Sequence, residues 1–409
     1  MKLFRNSLLV LLAAILLGFL LLCAVYCLPE SLFQSELEES AQVFQWEGRY
    51  PAEPYSQKTL DSFTDALMLL EAGNGGGEAP VSAAIAASYT LLPGASPDET
   101  LVRLYLDGEA EAARPAPYGR YWHGYLLFLK PLLAFFSYAQ IRSIGTTVQF
   151  ALLLGVLLLM LKKRRECLLP FLLTVLLLAP TAIALSLQFS SCYLLMLLEA
   201  LLLLWDPKKL LNRRTLPYFF LLAGILTSYL DLLTAPTLTL SVPLVLVLSA
   251  EKEKGSLRSA LLLCLMWGFG YAGMWAGKWL LASVQPGFLA ELLSSLSSRV
   301  SSSDEAGAQI TRLAALRETA KELFSNRFLN RAAVLLAVFS AGGSLRRREL
   351  LRAAHLRYLL PAAVPVLWIL LLANHSYVHS WFTYRTLAPA VFALLMALAP
   401  GKTPEQTAR

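Results

Sequence analysis

Asp61 and Asp65 are a pair of carboxylic acids that could serve in acid–base catalysis. They lie four positions apart near the start of an amphipathic segment, so a helix would place both on one face, with Leu60 and Phe63 on another. A carboxylate in this position can act as a general base that takes a proton from an acceptor hydroxyl. An Asp at a helix start is equally a favoured cap that complements the helix dipole. The pair predicts a helix start, and leaves a structural and a catalytic role open.

Cations and aromatic rings alternate in a second segment, 118–131. Aromatic side chains settle at membrane interfaces, and cations beside them can hold an anionic head group. This segment therefore predicts a binding site for a lipid phosphate or a similar anion. The residues that could form it are Arg120, Tyr121, Trp122, His123 and Lys130.

A third segment, 374–385, holds two His, two Tyr, a Trp and an Arg within twelve residues. Arg385 would lie at phosphate depth, although an aromatic anchor belt with a snorkelling Arg explains the same pattern. His375 and His379 are four residues apart, as a metal pair on a helix could be, but the sequence offers no third ligand. We predict no metal here and expect His375, His379 and Tyr384 to contact a substrate.

Three ionisable residues interrupt apolar stretches further along the chain, and one of them, Glu199, lies toward the inner side and is the least relevant to an outer site. Asp231 and Lys278 each lie at the end of a predicted membrane span. Charged groups are expensive in lipid, so such residues are functional candidates. We assign Asp231 to substrate binding and Lys278 to the anion site, although a lysine near a span end can also snorkel to the surface.

Composition identifies an integral membrane protein. Hydrophobic residues make up 56% of the 409 positions and charged residues only 15%. The net charge of +7 comes from Lys and Arg in short loops between apolar blocks, which argues against a nucleic-acid partner. The five cysteines lie in or beside apolar blocks without metal-ligand spacing, so we expect no zinc site and no disulfide framework.

The apolar blocks predict an all-α polytopic fold with about ten transmembrane helices. The expected spans are 7–28, 144–161, 167–186, 190–205, 216–232, 235–250, 259–284, 331–345, 358–374 and 386–400. The positive-inside rule then places both termini in the cytoplasm, since basic residues mark every second connection. These residues are Lys2, Arg5, Lys162–Arg165, Lys208, Lys209, Arg213, Arg214, Lys252, Lys254, Arg258, Arg346–Arg348, Arg352, Arg357, Lys402 and Arg409.

The same topology divides the chain into five parts. They are a first transmembrane helix (1–28), a large extracytoplasmic loop (29–143), a core of spans two to seven (144–284), a second outer loop (285–330), and the last spans with a short tail (331–409). The first loop should contain short helices at 59–72, 80–91 and 97–107 around a flexible break at 74–77. The segment 122–138 contains Lys130 and Pro131 and is predicted to lie on the outer interface. The site residues named above then share the extracytoplasmic side.

This layout resembles the GT-C class of membrane glycosyltransferases, close to uncharacterised members from Gram-positive bacteria. Asp61 matches, by order and context, the acidic residue that begins a juxtamembrane helix in that class. The segment 121–136, followed by Ile141-Arg142, is similar to the second juxtamembrane segment. The resemblance covers roughly 1–165 and 186–285 and the turn around 375–385.

The resemblance implies a sugar donor linked to polyprenyl phosphate and an inverting displacement that needs no metal or cofactor. Asp61, with Asp65, would supply the base, and Arg120, His123, Lys278 and Arg385 would hold the departing phosphate. The acceptor would be an envelope glycan, a lipid or a protein. Two other functions remain open: a transporter or flippase of lipid-linked sugars, and a non-catalytic envelope assembly protein.

Overall fold

The computed structural model describes residues 2–51, 56–74, 79–250, 257–301, 309–346 and 356–399. The described chain is almost entirely helical. The first helix is α1 (Lys2–Tyr26), and the region after it contains α2 (Gln34–Glu47), α3 (Ser62–Gly73), α4 (Pro80–Ala86), β1 (Tyr89–Leu91), α5 (Pro97–Tyr105), β2 (Arg114–Ala116) and α6 (Leu126–Leu133). The two strands form one antiparallel ladder in which Tyr89 pairs with Ala116.

The rest of the chain forms a helical bundle. Its first part comprises α7 (Tyr138–Lys163), α8 (Arg165–Leu177), α9 (Pro180–Ala184), α10 (Leu187–Trp205), α11 (Pro207–Leu210), α12 (Leu216–Leu230), α13 (Leu238–Ala250) and α14 (Leu257–Ala282). Its second part comprises α15 (Phe288–Val300), α16 (Arg312–Leu323), α17 (Arg327–Arg346), α18 (Leu359–Leu371), α19 (Ala373–Val378), α20 (Ser380–Thr383) and α21 (Ala388–Leu398). A 3₁₀ turn, Tyr384–Leu387, leads into α21.

The chain is all-α and has the helices of a membrane protein, as predicted. Within the described residues, five helical stretches are long and apolar enough to cross a bilayer: Lys2–Tyr26, Tyr138–Lys163, Leu187–Trp205, Leu257–Ala282 and Ser380–Leu398. Three shorter apolar helices, α12, α13 and α18, accompany them. The total of about ten spans and the five-part division stay predictions.

Small residues let two apolar helices, α12 and α14, approach closely. A Cβ added at Gly224 of α12 would overlap the carbonyl oxygen of Trp267 in α14, and one at Gly270 would overlap the carbonyl oxygen of Leu221. Apolar helices gain no hydrophobic drive from each other in lipid, so close backbone packing through glycine is a main source of association. The close packing of α12 against α14 therefore fixes the positions of the segments that follow these two helices, 231–237 and 283–287.

Three local predictions need correction. The helix expected at 80–91 ends at Ala86, because Ala87 adopts a left-handed conformation and the chain continues into β1. The span expected at 167–186 is divided into α8 and α9, since Ala179 is left-handed and Pro180 starts a new helix. The span expected to begin at 190 instead begins at Leu187, the first residue of α10, which Ser186 caps.

The segment 122–138 contains a helix of only eight residues, α6, too short to cross a bilayer. Phe128 and Phe135 on this segment are exposed, whereas Leu126 and Leu133 are buried. This two-sided arrangement suits a helix lying along an interface. The placement of the segment on the outer interface stays a prediction.

Hydrogen bonds join two pairs of helix C-termini. Lys163 of α7 donates to the carbonyls of Leu204 and Trp205 at the end of α10, and Ser344 of α17 donates to that of Leu398 at the end of α21. The predicted orientation of the helices in the membrane stays a prediction. Outside the described residues lie positions 75–77 of the break predicted at 74–77 and the basic residues Lys252, Lys254, Arg347, Arg348, Arg352, Lys402 and Arg409.

Candidate functional site

Asp61 caps α3 at the end of the bundle that carries the α1–α7 region. Its Oδ1 accepts from the Thr64 amide at 3.0 Å and its Oδ2 accepts from the Thr64 hydroxyl at 2.8 Å. The residue is 4% exposed. Burial raises the pKa of Asp61 to about 6, against the opposing effect of the Thr64 hydrogen bonds and of the Arg385 charge. A carboxylate with this pKa is ionised at neutral pH and basic enough to accept a proton.

Asp65 lies one turn further along α3 and is fully engaged. Its carboxylate accepts from the Tyr138 hydroxyl at 2.6 Å and from the amides of Leu187 and Gln188, each at 2.9 Å. The Ser186 hydroxyl donates to it at 3.2 Å. Burial raises the pKa of Asp65. The carboxylate thus connects α3, α7 and α10. At the N-terminus of α10 it also complements the helix dipole. Its predicted catalytic role stays untested.

Arg385 is buried and faces the same place. Its Nε donates to the Leu178 carbonyl and one Nη donates to the Gln57 carbonyl, both at 3.1 Å. Its guanidinium carbon lies 4.1 Å from the ring centre of Phe189. The other terminal nitrogen, Nη1, is buried and has no hydrogen-bond partner among the residues that the structure describes. Neighbouring Tyr384 is also buried, with its hydroxyl 3.4 Å from the Gln57 and Leu178 carbonyls.

Gln57 fixes the carbonyl that Arg385 uses. Its side-chain amide donates to the carbonyls of Glu322 at 2.8 Å and Leu323 at 2.9 Å. The Gln57 side chain thereby satisfies free carbonyls at the C-terminus of α16. Four stretches of chain that are distant in sequence therefore meet at this place. We call Gln57, Asp61, Asp65, Gln188 and Arg385 the Asp61–Arg385 cluster.

Strained backbone lies beside this cluster. Ala179 and Leu233 have φ values of 55° and 68°, in the left-handed region that side chains rarely adopt. Ala179 follows Leu178, whose carbonyl receives Arg385, and Leu233 offers its own carbonyl to His375 Nε2 at 3.4 Å. Strained residues of this kind cluster at functional sites, where the surrounding packing holds them.

The predicted substrate residues of the 374–385 segment surround the cluster. The rings of His375 and His379 are 5.1 Å apart, and His379 stacks on Phe382. Burial, together with the charges of His379 and Arg299, lowers the pKa of His375 to about 3. His375 is therefore neutral near pH 7 and can serve as a hydrogen-bonding group there, but not as a cation.

Asp231 joins this side of the bundle through the connection between α12 and α13. It is 3% exposed, and its Oδ2 accepts from the Thr234 amide at 2.9 Å. The Thr386 hydroxyl, next to Arg385, is 3.4 Å from the Thr234 carbonyl. Asp231 thus lies on an element that contacts the turn bearing Arg385.

A second polar cluster is built around Glu71 on the last turn of α3. The Tyr26 hydroxyl donates to Glu71 Oε1 at 3.0 Å, and the Tyr125 hydroxyl donates to Oε2. His123 Nδ1 lies 2.7 Å from the same Oε2, and its Nε2 is 2.9 Å from the Tyr118 carbonyl. All four residues are buried. We call Tyr26, Glu71, His123 and Tyr125 the Glu71 cluster.

The backbone conformation at His123 lets this side chain lie beside Glu71. His123 has φ 58°, and the next amide, Gly124, donates to the Tyr229 carbonyl at 2.8 Å. Trp122 then inserts against α14, where its Nε1 donates to the Met274 carbonyl at 2.6 Å. Trp122 and His123 therefore anchor the α1–α7 region to the bundle, and their predicted contacts with a substrate stay untested.

Two buried lysines flank the Glu71 cluster and close helix ends. Lys130 donates to the carbonyls of Ala72 at 2.8 Å and Asn74 at 3.3 Å, at the end of α3. Lys278 donates to the carbonyls of Ala84 at 2.8 Å and Ile85 at 3.0 Å, at the end of α4. A cation at a helix C-terminus satisfies free carbonyls and complements the dipole. Burial lowers the pKa of Lys130 to about 8.

Arg120 and Tyr121 lie at the rim between the clusters. The Arg120 guanidinium carbon is 4.4 Å from the ring centre of Tyr118, and its Nη1 is 3.6 Å from Glu291. Tyr121 accepts from Arg299 of α15 at 2.6 Å. Asn374 donates to the Ser298 carbonyl at 2.7 Å, which ties α15 to the 374–385 segment.

The structure therefore separates the predicted site residues into two groups. Asp61, Asp65 and Arg385 belong to the Asp61–Arg385 cluster, and Asp231, His375, His379 and Tyr384 lie beside it. Trp122, His123 and Lys278 lie in or beside the Glu71 cluster, and Arg120 and Tyr121 lie at the rim between the two. In the described ranges, no three His, Cys, Asp or Glu residues are grouped as a metal site would require.

Sequence reasoning missed Gln57, Glu71 and Arg299 as site residues. Glu71 carries a signal in hindsight, since it is an acid within a run of Ala and Leu that packs against α1. Gln57 acts mainly through its backbone carbonyl, and Arg299 acts through a contact across 178 residues. No pattern in the sequence would have found those two.

Comparisons with known proteins give no relative: no family model matches the chain, and neither the curated proteins nor the solved structures contain a match.

Proposed function

We propose that the protein is a membrane glycosyltransferase of GT-C-like architecture. It moves a sugar from a polyprenyl-phosphate donor to a hydroxyl on an envelope glycan, lipid or protein at the extracytoplasmic face. One observation carries the proposal: Asp61, with a pKa near 6, and Arg385, with Nη1 unpartnered among the described residues, are buried together where four chain segments meet. A base beside a buried cation suits displacement of a phosphate leaving group.

The proposed chemistry is a single displacement with inversion. Asp61 takes the proton of the acceptor hydroxyl while that oxygen attacks the anomeric carbon of the donor. The bond between this carbon and the phosphate oxygen breaks, and the leaving lipid phosphate gains negative charge. Arg385 Nη1 donates to that phosphate, in a dry environment where a charged hydrogen bond is strong. In this scheme Asp65 holds α3 against α10 and keeps Asp61 in position.

Arg385 is the main phosphate ligand in this proposal, ahead of Lys278 and Arg120. The ammonium of Lys278 already has two carbonyl acceptors, and a phosphate could take it only by breaking the closure of α4. Arg120 faces two aromatic rings and Glu291, so it suits the rim, where it can attract an anion.

The proposal includes a topology with about ten spans and cytoplasmic termini. The Asp61–Arg385 cluster is then extracytoplasmic, where polyprenyl-linked sugars would meet envelope acceptors. Single cysteines at Ser96 and at Thr403, treated with an impermeant thiol reagent in intact cells, test the orientation. We expect labelling at position 96 only. Labelling at position 403 without labelling at 96 refutes the topology.

The activity test compares Asp61→Asn with a matched control in the same region. Asp107 is an exposed acid beyond α5, so Asp107→Asn removes one charge far from the cluster. In cells that carry each variant, transfer of labelled sugar from the lipid donor into the envelope fraction should fall about 100-fold or more for Asp61→Asn. It should not change for Asp107→Asn. Full transfer with Asp61→Asn ends the proposal of this base.

A transporter or flippase of lipid-linked sugars is the second candidate, and Glu199 favours it. This acid is 3% exposed within α10, and both carboxylate oxygens lack a hydrogen-bond partner in the described part of the chain. Ionisable residues inside membrane helices often mark transport paths. Reconstituted vesicles decide between the functions, since a flippase moves a labelled lipid-linked sugar between leaflets without an acceptor, and Glu199→Gln should stop that movement.

A further inference from the structure

The connection between α12 and α13 holds buried polar atoms that the fold itself does not use. Asp231 Oδ2 accepts from the Thr234 amide, but Asp231 Oδ1 and the Thr234 hydroxyl have no hydrogen-bond partner among the described residues. The two residues are 3% and 1% exposed. The thiol of Cys192, a weak donor, the Thr234 side chain and the Leu233 amide lie beside the carboxylate.

A third unpartnered atom belongs to Gln188 on the first turn of α10. Its side-chain oxygen is buried without a partner in the described ranges, while its backbone amide is held by Asp65 at 2.9 Å. The next residue, Phe189, lies under the Arg385 guanidinium. The α10 start that presents Gln188 is therefore fixed on both sides.

These three residues adjoin the position of Arg385. The Thr237 hydroxyl donates to the Thr386 carbonyl at 2.7 Å, and the Thr386 hydroxyl reaches the Thr234 carbonyl at 3.4 Å. Two hydrogen bonds thus connect the element of Asp231 and Thr234 to the turn of Arg385, and Phe189 connects the element of Gln188 to the same side chain.

The chemistry of the unpartnered atoms indicates what they would bind. Buried polar groups are normally satisfied, and leaving one without a partner costs free energy, so a group of them beside a candidate site indicates a polar ligand. A carboxylate and an amide oxygen accept hydrogen bonds, and a threonine hydroxyl can donate or accept. A phosphate would be repelled by Asp231, and so would the carboxylate of a uronic acid. Hydroxyl groups of an uncharged sugar match all three atoms.

We infer that Gln188, Asp231 and Thr234 form the subsite for the sugar of the donor, next to the phosphate position at Arg385, and that this sugar is uncharged and rich in hydroxyl groups. The inference rests on the proposed function and deepens it by dividing the donor between two sets of residues. Arg385 binds the lipid phosphate, and the three unpartnered atoms bind the sugar hydroxyls.

The test measures binding of two lipids to the purified full-length protein, at fixed detergent and salt. The probes are polyprenyl phosphate and polyprenyl-phosphate-glucose. We expect the wild type to bind the glucose-bearing lipid at least about 10-fold more tightly, the ratio that 1.4 kcal/mol gives. Thr234→Val and Asp231→Asn should each bring this ratio towards one and leave the affinity for polyprenyl phosphate unchanged.

Two further choices keep the result decisive. Thr234→Val removes a hydroxyl that makes no hydrogen bond within the described protein and keeps the side-chain shape, so it remains informative if Asp231→Asn does not fold. Ser249→Ala is the matched control, because it removes a hydroxyl that donates to the Leu246 carbonyl at the far end of α13. The control should keep the wild-type ratio, and polyprenyl-phosphate-glucuronic acid should bind more weakly than the glucose lipid.

The outcomes separate this inference from the proposed function. A wild-type ratio near one, or a ratio that persists in both site variants, overturns the sugar subsite, while Arg385-dependent binding of polyprenyl phosphate still supports the transferase. Tighter binding of the glucuronic acid lipid also overturns the subsite. If the wild type binds neither polyprenyl phosphate nor the glucose lipid, the proposed function fails and the subsite with it.

Discussion

The Asp61–Arg385 cluster and the Glu71 cluster are buried at the same end of the bundle, and each places an acid of α3 among aromatic rings and cations. They differ in how completely their polar atoms are satisfied. Glu71 receives two tyrosine hydroxyls and the His123 ring, and the lysines beside it each hold two carbonyls. Beside Asp61, in contrast, Arg385 Nη1 and Gln188 Oε1 have no partner among the described residues.

This difference separates a structural network from a binding site. A satisfied buried network rigidifies the packing around it, because removing one member strands the others. Unsatisfied atoms leave hydrogen-bonding capacity for a ligand. We therefore assign the Glu71 cluster to holding the α1–α7 region on the bundle, and the Asp61–Arg385 cluster to chemistry.

The largest expected contrast is between Asp61→Asn and Glu71→Gln. Asp61→Asn keeps an N-cap and removes a buried charge, so we expect about 100-fold or greater loss of transfer with unchanged or raised thermal stability. Glu71→Gln removes the charge that strengthens several buried hydrogen bonds, so we expect a loss of about 1.5–3 kcal/mol in folding free energy. Sugar transfer by folded protein and thermal unfolding in detergent measure the two effects. A loss of stability from Asp61→Asn comparable with that from Glu71→Gln would remove the distinction.

The next contrast concerns the cations. Charged hydrogen bonds to a phosphate are worth roughly 1.5–3 kcal/mol each, so Arg385→Ala should weaken binding of polyprenyl phosphate about 10- to 150-fold. Arg385→Lys keeps the charge but loses the planar fork, and should weaken binding by a smaller factor. A pure anchoring role for Arg385 predicts unchanged affinity and lower thermal stability in both variants, which would leave the anion site to Arg120 and Lys278.

A pH profile sharpens the assignment of the base. Asp61 must be ionised to accept a proton, and its pKa is about 6 in the folded protein. Sugar transfer should therefore fall below pH 6, reaching about a tenth of its plateau at pH 5. The pKa of Asp61 is about 6 in the folded protein and 3.8, its ordinary value, in the unfolded chain, so the folded form binds the proton more tightly. The stability of the fold that comes from this proton is therefore lost as the pH rises from about 4 to 6. Asp61→Asn should remove that contribution, and a transfer rate that stays flat from pH 5 to pH 7 contradicts a base with this pKa.

The smallest expected effect on ligand binding is that of Lys278→Met. This change keeps much of the apolar stem and strands the carbonyls of Ala84 and Ile85, so we expect about 1–3 kcal/mol lower stability. Affinity for polyprenyl phosphate should stay within about twofold, when measured alongside Arg385→Ala. A loss of affinity as large as that of Arg385→Ala would place the phosphate at Lys278 instead.

The sequence predicted the elements better than their contacts. Apolar length revealed the membrane helices, and capping chemistry placed the start of α3 at Asp61. Lys130 and Lys278 were interpreted as anion ligands because sequence does not show the helix ends that they close, at Asn74 and Ile85. Asp65 was paired with Asp61 by spacing, yet its partners lie more than 70 residues away at Tyr138 and Gln188. The left-handed residues Ala179 and Leu233 carry no local signal, since neither is Gly or Asn.

A structure of the protein with bound polyprenyl phosphate would show which cation binds the phosphate. We expect the phosphate within hydrogen-bond distance of Arg385 Nη1, close to Asp61, with Lys278 still holding the carbonyls of α4. A phosphate bound by Lys278 or by the Arg120–His123 segment, with Arg385 unchanged, would contradict this expectation.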